Sequence, residues 1–128
     1  MMDDMYQEII LDHYKNPRNS GRIDDPDIEF RDYNPLCGDE VVIQAKLGKD
    51  KIIEDVKFDG KGCAISRAAA SMLTESIKGK KLGDAKSITN DEMLGMLMIP
   101  ISHMRIRCAL LALKALQKGI FVYEGKAA

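Results

Sequence analysis

Three cysteines and one aspartate carry the chemistry this chain offers. Cys37 and Asp39 lie two residues apart in Asn34-Pro35-Leu36-Cys37-Gly38-Asp39, and Cys63 and Cys108 stand far downstream. Gly38 permits a positive φ and lets the backbone curl close to a bound ion. Cys63 follows Gly60-Lys61-Gly62 where a helical pattern begins, and the positive end of that helix dipole favours an anionic sulfur. Cys108 follows Arg107, whose guanidinium does the same. Taken singly, each cysteine is more often a small core hydrophobe than a ligand. No Cys-x-x-Cys is present, which gives no support to a zinc ribbon or a thioredoxin-type pair. Taken together, three sulfurs and a carboxylate describe a metal or cluster site that only tertiary structure can assemble. Soft sulfur ligands suit zinc and iron–sulfur clusters. Stable [2Fe–2S] clusters generally have four cysteine ligands. A hard carboxylate in place of one makes a cluster easier to lose. That is a defect in an electron carrier and an asset in a protein that builds a cluster and passes it on.

The bulk numbers narrow the setting. A chain of 128 residues suits one domain, 1–128, with a single core, and 45% hydrophobic content is ordinary for a folded protein. With 19 basic and 20 acidic residues there is no electrostatic case for nucleic-acid binding. No apolar run approaches the roughly 20 residues of a membrane span, and the acidic start Met1-Met2-Asp3-Asp4 has no apolar stretch of a secretion signal behind it. The expected address is cytoplasmic. There, an odd count of three cysteines argues for reduced thiols rather than disulfides. The eight methionines read as ordinary core residues.

The elements that must position the four side chains follow from periodicity. A helix capped by Asp3 or Asp4 runs to Asn16-Pro17, with Tyr6, Ile9, Ile10 and His13 on one face. His13 on such a face reads as packed rather than as a ligand. A polar connection, 18–27, leads to an alternating strand at 28–31 that runs into the Asn34 loop. Val41, Ile43, Ala45 and Leu47 predict a second strand with one buried face. A turn at 48–51 joins it to an antiparallel third at 52–58, with Ile52, Val56 and Phe58 on one side. Asp59 to Gly62 is expected to break that strand. A helix from Cys63 to Gly79, a connection at 82–87, a capping box at Thr89 and Glu92, and a final helix carrying Cys108 and stopping near Gly119 complete the reading. Strands grouped together, then helices, predict an α+β fold: a small three-stranded antiparallel sheet with helices on one face.

At these same residues the chain resembles the U-type iron–sulfur cluster scaffolds, comprising IscU, SufU and the N-terminal domain of NifU. Met5-Tyr6 through Asn16-Pro17-Arg18-Asn19, the Asn34–Asp39 stretch, Gly60 to Ser66 and Arg107 to Ala112 carry the resemblance in the family's order. It implies a scaffold that takes persulfide sulfur from a cysteine desulfurase, receives iron, builds a [2Fe–2S] cluster and hands it to carrier or acceptor proteins. It implies Cys37, Cys63 and Cys108 as ligands and Asp39 as the aspartate tied to cluster lability; Cys108 beside Arg107 and Cys37 in its loop are both open as the sulfur acceptor. A homo-oligomer sharing a cluster is compatible with it.

Two departures matter. IscU has a histidine directly before the third cysteine. Here Arg107, a permanent cation, stands there, as a basic residue does in SufU. Yet only 44 residues separate Cys63 from Cys108, which is the IscU-like spacing without SufU's insertion. Asp39 becomes the favoured fourth ligand, and His103 is a weaker candidate for the vacant histidine role. The segment that an Hsp70-type chaperone grips in IscU is here Ile101-Ser102-His103-Met104-Arg105, which puts use of that chaperone in question. Three functions follow: a [2Fe–2S] scaffold, a zinc-containing sulfur acceptor like SufU, or an interaction domain with inert thiols.

Overall fold

The computed structural model describes residues 2–35, 38–98 and 100–127, with side chains for residues 8–126 of these. Cys37 and the side chain of Tyr6 therefore lie outside the described residues. Helix α1 (Met2–Lys15) is followed by strands β1 (Ile28–Asn34), β2 (Asp39–Leu47) and β3 (Ile53–Lys61). Helices α2 (Ala64–Ile77), α3 (Leu82–Lys86), α4 (Asn90–Met96) and α5 (Ile106–Ala127) come after them. The sheet order is β1-β2-β3 and both pairings are antiparallel. The fold is α+β, as the grouping of strands and helices predicts.

The core lies between the sheet and α2 and α5. Ile28, Ile43, Ala45, Val56 and Phe58 from the strands meet Ala69, Leu73, Leu113 and Leu116 from the helices, all fully or almost fully buried. Small residues on α2, Ala68, Ala69 and Ala70, let the helix lie close to its neighbours. Thr89 and Glu92 form the expected capping box at the start of α4, each side chain bonding the other's main-chain N–H.

Four expectations are corrected. Strand β2 is buried on both faces, since Val42 and Gln44 are covered as well as Val41, Ile43 and Ala45. The 18–27 connection supplies part of that cover: the Ile23 N–H donates to Gln44 Oε1 at 2.7 Å, and Asn19 and Gly21 bond to the main chain of Phe58. In β3, Ile53 rather than Ile52 enters the core. A register shift beside Leu47 breaks strict alternation, so Ile53 and Val56 both point inward. The strand continues through Gly60 to Lys61. Gly60 has φ +136°, and a Cβ there would stand 2.1 Å from the Glu40 carbonyl oxygen, so only glycine keeps β2 and β3 paired this far. Helix α5 runs on to Ala127 past Gly119. That glycine is a packing device: a Cβ would lie 2.9 Å from Ile28 Cγ2 and 3.2 Å from Phe30 Cβ. In addition, 82–86 forms a short helix, with Leu82 and Ala85 turned into the core.

Helix α1 docks on α2 through Ile10 and a polar contact. His13 Nδ1 and Ser71 Oγ are 2.7 Å apart, and Ser71 Oγ also accepts the Arg18 N–H at 2.9 Å. Burial, with the nearby Arg18 charge, holds His13 below its ordinary pKa of 6.5. The neutral ring lets Nδ1 accept the Ser71 hydroxyl proton. His13 is a packed residue, as its place on the helix predicts.

Candidate metal centre

The end of the β1–β2 hairpin builds one wall. Asn34 and Asp39 are partners across the two strands, and the Gly38 N–H returns to the Asn34 carbonyl at 2.9 Å. Gly38 takes φ +73°, the left-handed conformation expected of it. This register turns Asp39 inward, where it is 1% exposed. A carboxylate so buried needs compensation. Asp39 forms no ion pair with Lys or Arg among the described residues; it accepts the main-chain N–H of Cys63 at 2.9 Å through Oδ1. Its second oxygen, Oδ2, lies 3.8 Å from Cys63 Sγ.

Cys63 sits at the N-cap of α2, in extended conformation, where the strand hands over to the helix. The approach to it is tight. A Cβ on Gly62 would come within 2.3 Å of Ser66 Oγ and 2.8 Å of Asp39 Oδ1. Ser66, one turn into α2, donates its hydroxyl to the Cys63 carbonyl at 3.1 Å and stands 3.9 Å from Cys63 Sγ. Arg67 ties the end of β3 down by donating to the Gly60 carbonyl at 2.6 Å, its guanidinium over the Phe58 ring. Cys108, in the first turn of α5, is fully buried. The Asn34 amide points at it, with Nδ2 3.9 Å from Cys108 Sγ.

One donor atom from each of Asp39, Cys63 and Cys108 lies within 4.8 Å of the other two. A tetrahedral centre with metal–sulfur bonds of about 2.3 Å spaces its sulfur ligands about 3.8 Å apart. Cys63 Sγ and Asp39 Oδ2 already stand 3.8 Å apart, and no pair among the three donors exceeds 4.8 Å, so what closure an ion requires is within the reach of side-chain rotation. Two cysteine sulfurs and a buried carboxylate that pairs with no Lys or Arg among the described residues form a set that a soft or borderline divalent cation would complete. Cys37, one residue before Gly38, lies outside the described residues.

The other sequence candidates stand elsewhere. His103 lies in an exposed single 3-10 turn, His103–Arg105, just before α5, and is not among the converging donors. Arg107 is exposed at the helix surface beside the buried sulfur of Cys108. Ser66 and Asn34 are the neighbours that sequence reasoning passed over as contacts. Ser66 had a signal, since a serine three residues after a helix-capping position is placed to bond back to it. Asn34 had none beyond its place in the loop.

Comparison with known proteins identifies the family. The NifU-like N terminal domain model matches residues 5–128. A zinc-dependent sulfurtransferase SufU of Bacillus subtilis is 39% identical, covering 97% of this chain and 95% of the relative. That alignment spans 144 positions, longer than this chain, so the Bacillus protein carries residues this one lacks. The iron-sulfur cluster assembly scaffold protein IscU 1 of Archaeoglobus fulgidus is 43% identical over 95% of this chain and 78% of its own. Among solved structures, a SUF-system scaffold protein from Fervidobacterium islandicum superposes with TM-score 0.73 at 29% identity, covering 88% of this chain and 94% of that one. A family model spanning almost the whole sequence, relatives near 40% identity and a shared fold place this chain in the NifU-like N-terminal domain family.

Proposed function

We propose that the chain is a scaffold for [2Fe–2S] cluster assembly. It accepts persulfide sulfur from a cysteine desulfurase, combines it with iron at Cys37, Asp39, Cys63 and Cys108 once an external two-electron reductant has converted that sulfur to sulfide, and passes the cluster to acceptor proteins. The observation that carries this reading is the convergence of Asp39, Cys63 and Cys108 from three separate elements. In the sulfur step a thiolate of Cys108 or Cys37 attacks the outer sulfur of the desulfurase persulfide. The new S–S bond forms on this chain as the old one breaks, and the desulfurase leaves as a thiolate. The cluster is cargo, and a mixed sulfur–carboxylate set suits a site that must release it. Among the described residues no helix is long and apolar enough to cross a membrane. The work proposed takes place in the cytoplasm, over one domain spanning 1–128.

Anaerobic reconstitution with ferrous iron, sulfide and reductant tests this. The expected product is a coloured, oxygen-sensitive protein with iron and sulfide in equal amounts. A protein that acquires no cluster under these conditions overturns the reading.

The second reading, a zinc-containing sulfur acceptor that stimulates a desulfurase, is favoured by one observation: an exposed arginine, Arg107, stands where a histidine ligand would be. Zinc would be held by the same residues. There it would keep the thiols deprotonated and positioned until sulfur arrives. Stoichiometric zinc in anaerobically purified protein, with desulfurase stimulation and no cluster, would decide for it.

A further inference from the structure

The surface beside the metal centre carries a second feature. Strand β1 is an edge of the sheet, and α5 lies along it. Between them runs a groove of about 250 Å³ bounded by Tyr33, Pro35 and Leu110. It continues past Lys114 and Lys118 into a second hollow of about 390 Å³ bounded by Phe30, Phe121 and Val122. Three large apolar side chains stand open to solvent along this path: Phe121 is 78% exposed, Tyr33 64% and Val122 41%. A run of aromatic and aliphatic surface of this kind is unusual for a face that meets only water.

The rim is cationic. Arg107, Lys114 and Lys118 recur at steps of seven and four residues, which places them in one row along α5. Lys118 is paired with Asp32 at 2.8 Å, and Lys114 donates to the neutral Asn90 at 3.0 Å. Arg107 meets no carboxylate among the described residues. The row therefore keeps a surplus of two positive charges, on a chain whose net charge is -1. From Arg107 to Val122 the helix rises about 22 Å, the length of a partner helix of about 15 residues.

We propose that this groove docks an acidic amphipathic helix of another protein, its apolar stripe on Tyr33, Leu110, Phe121 and Val122 and its carboxylates on the Arg107–Lys114–Lys118 row. The match is one of charge and length. A basic or neutral helix would bury the apolar face but leave the cations opposed or unpaired. Because the groove begins at Asn34 and Arg107, a protein docked there has its surface beside Cys108. This rests on geometry apart from the donors, and holds whichever metal or cluster they carry.

The test uses the full chain and a fluorescently labelled helical peptide of about 15 residues, with glutamates on one face and leucines and a phenylalanine on the other. A control peptide carries lysine at every glutamate. The acidic peptide should bind about tenfold or more tighter than the control and weaken as salt rises. Its amide chemical-shift changes should gather at Tyr33 and the exposed face of α5. Lys114→Glu with Lys118→Glu should cost about tenfold, and so should Phe121→Ser, which removes an exposed side chain and leaves the circular dichroism spectrum unchanged. Cys63→Ser should leave peptide binding as it was while removing metal, which separates this result from that of the metal centre. Equal binding of the two peptides, shifts gathered elsewhere, or a dimer in sedimentation that Phe121→Ser dissociates would overturn the proposal.

Discussion

The Asp39 carboxylate and Cys63 meet twice: Oδ1 accepts the Cys63 main-chain N–H at 2.9 Å, and Oδ2 faces the Cys63 sulfur at 3.8 Å. One oxygen fixes where the helix begins, and the other is left for the site. The two roles separate by substitution. Asp39→Asn keeps an acceptor for the N–H and removes the charge. Asp39→Ala removes both and strands a buried donor, at a cost of about 1–3 kcal/mol. Chemical denaturation should show a stability loss for the alanine variant well above that of the asparagine variant. Both should weaken zinc binding, read by competition with a chromophoric chelator. If a cluster is assembled, both should hold it longer against transfer to an acceptor than the unsubstituted chain does.

Gly62 predicts a second outcome. A methyl group there would overlap Ser66 Oγ and Asp39 Oδ1, so Gly62→Ala should cost about 1–3 kcal/mol and loosen the metal site. Adding Ser66→Ala vacates the nearer clash. The double variant should recover part of the loss, giving a favourable coupling in a double-mutant cycle of unfolding free energies.

The α1–α2 contact predicts a pH dependence. The folded state holds His13 below its ordinary value of 6.5, chiefly by burying it, so the folded state binds fewer protons than the unfolded one. The stabilisation is complete above pH about 6.5. It is lost as pH falls from there through the lowered folded value. Denaturation midpoints between pH 8 and pH 5 should fall toward the acid end, and His13→Gln, which keeps a side-chain acceptor without a titrating ring, should flatten that part of the curve.

Gly119 predicts a fourth. Leucine at this position would gain helix propensity of under about 1 kcal/mol over glycine. It would also drive side-chain atoms into Ile28 and Phe30, which already stand at the limit for a bare Cβ. The packing cost dominates, and Gly119→Leu should lose about 3 kcal/mol in thermal or chemical unfolding.

The two glycines also mark where sequence reading ran out. Alternation and helical period located every strand and the four longer helices, because burial on one side writes itself into spacing. The capping box at Thr89 and Glu92 was equally local. Gly119 looked like a helix stop and is a packing notch, because what decides its role is Ile28, which lies 91 residues away in the chain. Gly60 looked like a strand break for the same reason: its partner is the Glu40 carbonyl on the next strand. Ile53 replaced Ile52 in the core because a register shift is a property of two strands together. Of the candidate metal centre the sequence offers the residue types, of which Asp39, Cys63 and Cys108 converge while Cys37 lies outside the described residues. That Asp39 would bond the helix start beneath Cys63, and that Asn34 would turn to Cys108, needed the folded chain.

The three converging donors come from the start of β2, the cap of α2 and the first turn of α5. An ion held among them is also a cross-link, closing one loop of about 24 residues and another of about 45, each of which costs chain entropy to close. With the ion in place, that entropy is removed from the unfolded chain as a staple would remove it, and the energy of ligation becomes energy of folding. Without it, the apolar core and polar contacts such as Lys118–Asp32 hold α5 against the sheet. On the function proposed above, delivery of a cluster would also loosen the scaffold, and an acceptor that stripped the centre would leave behind a less stable protein until the next cluster was built.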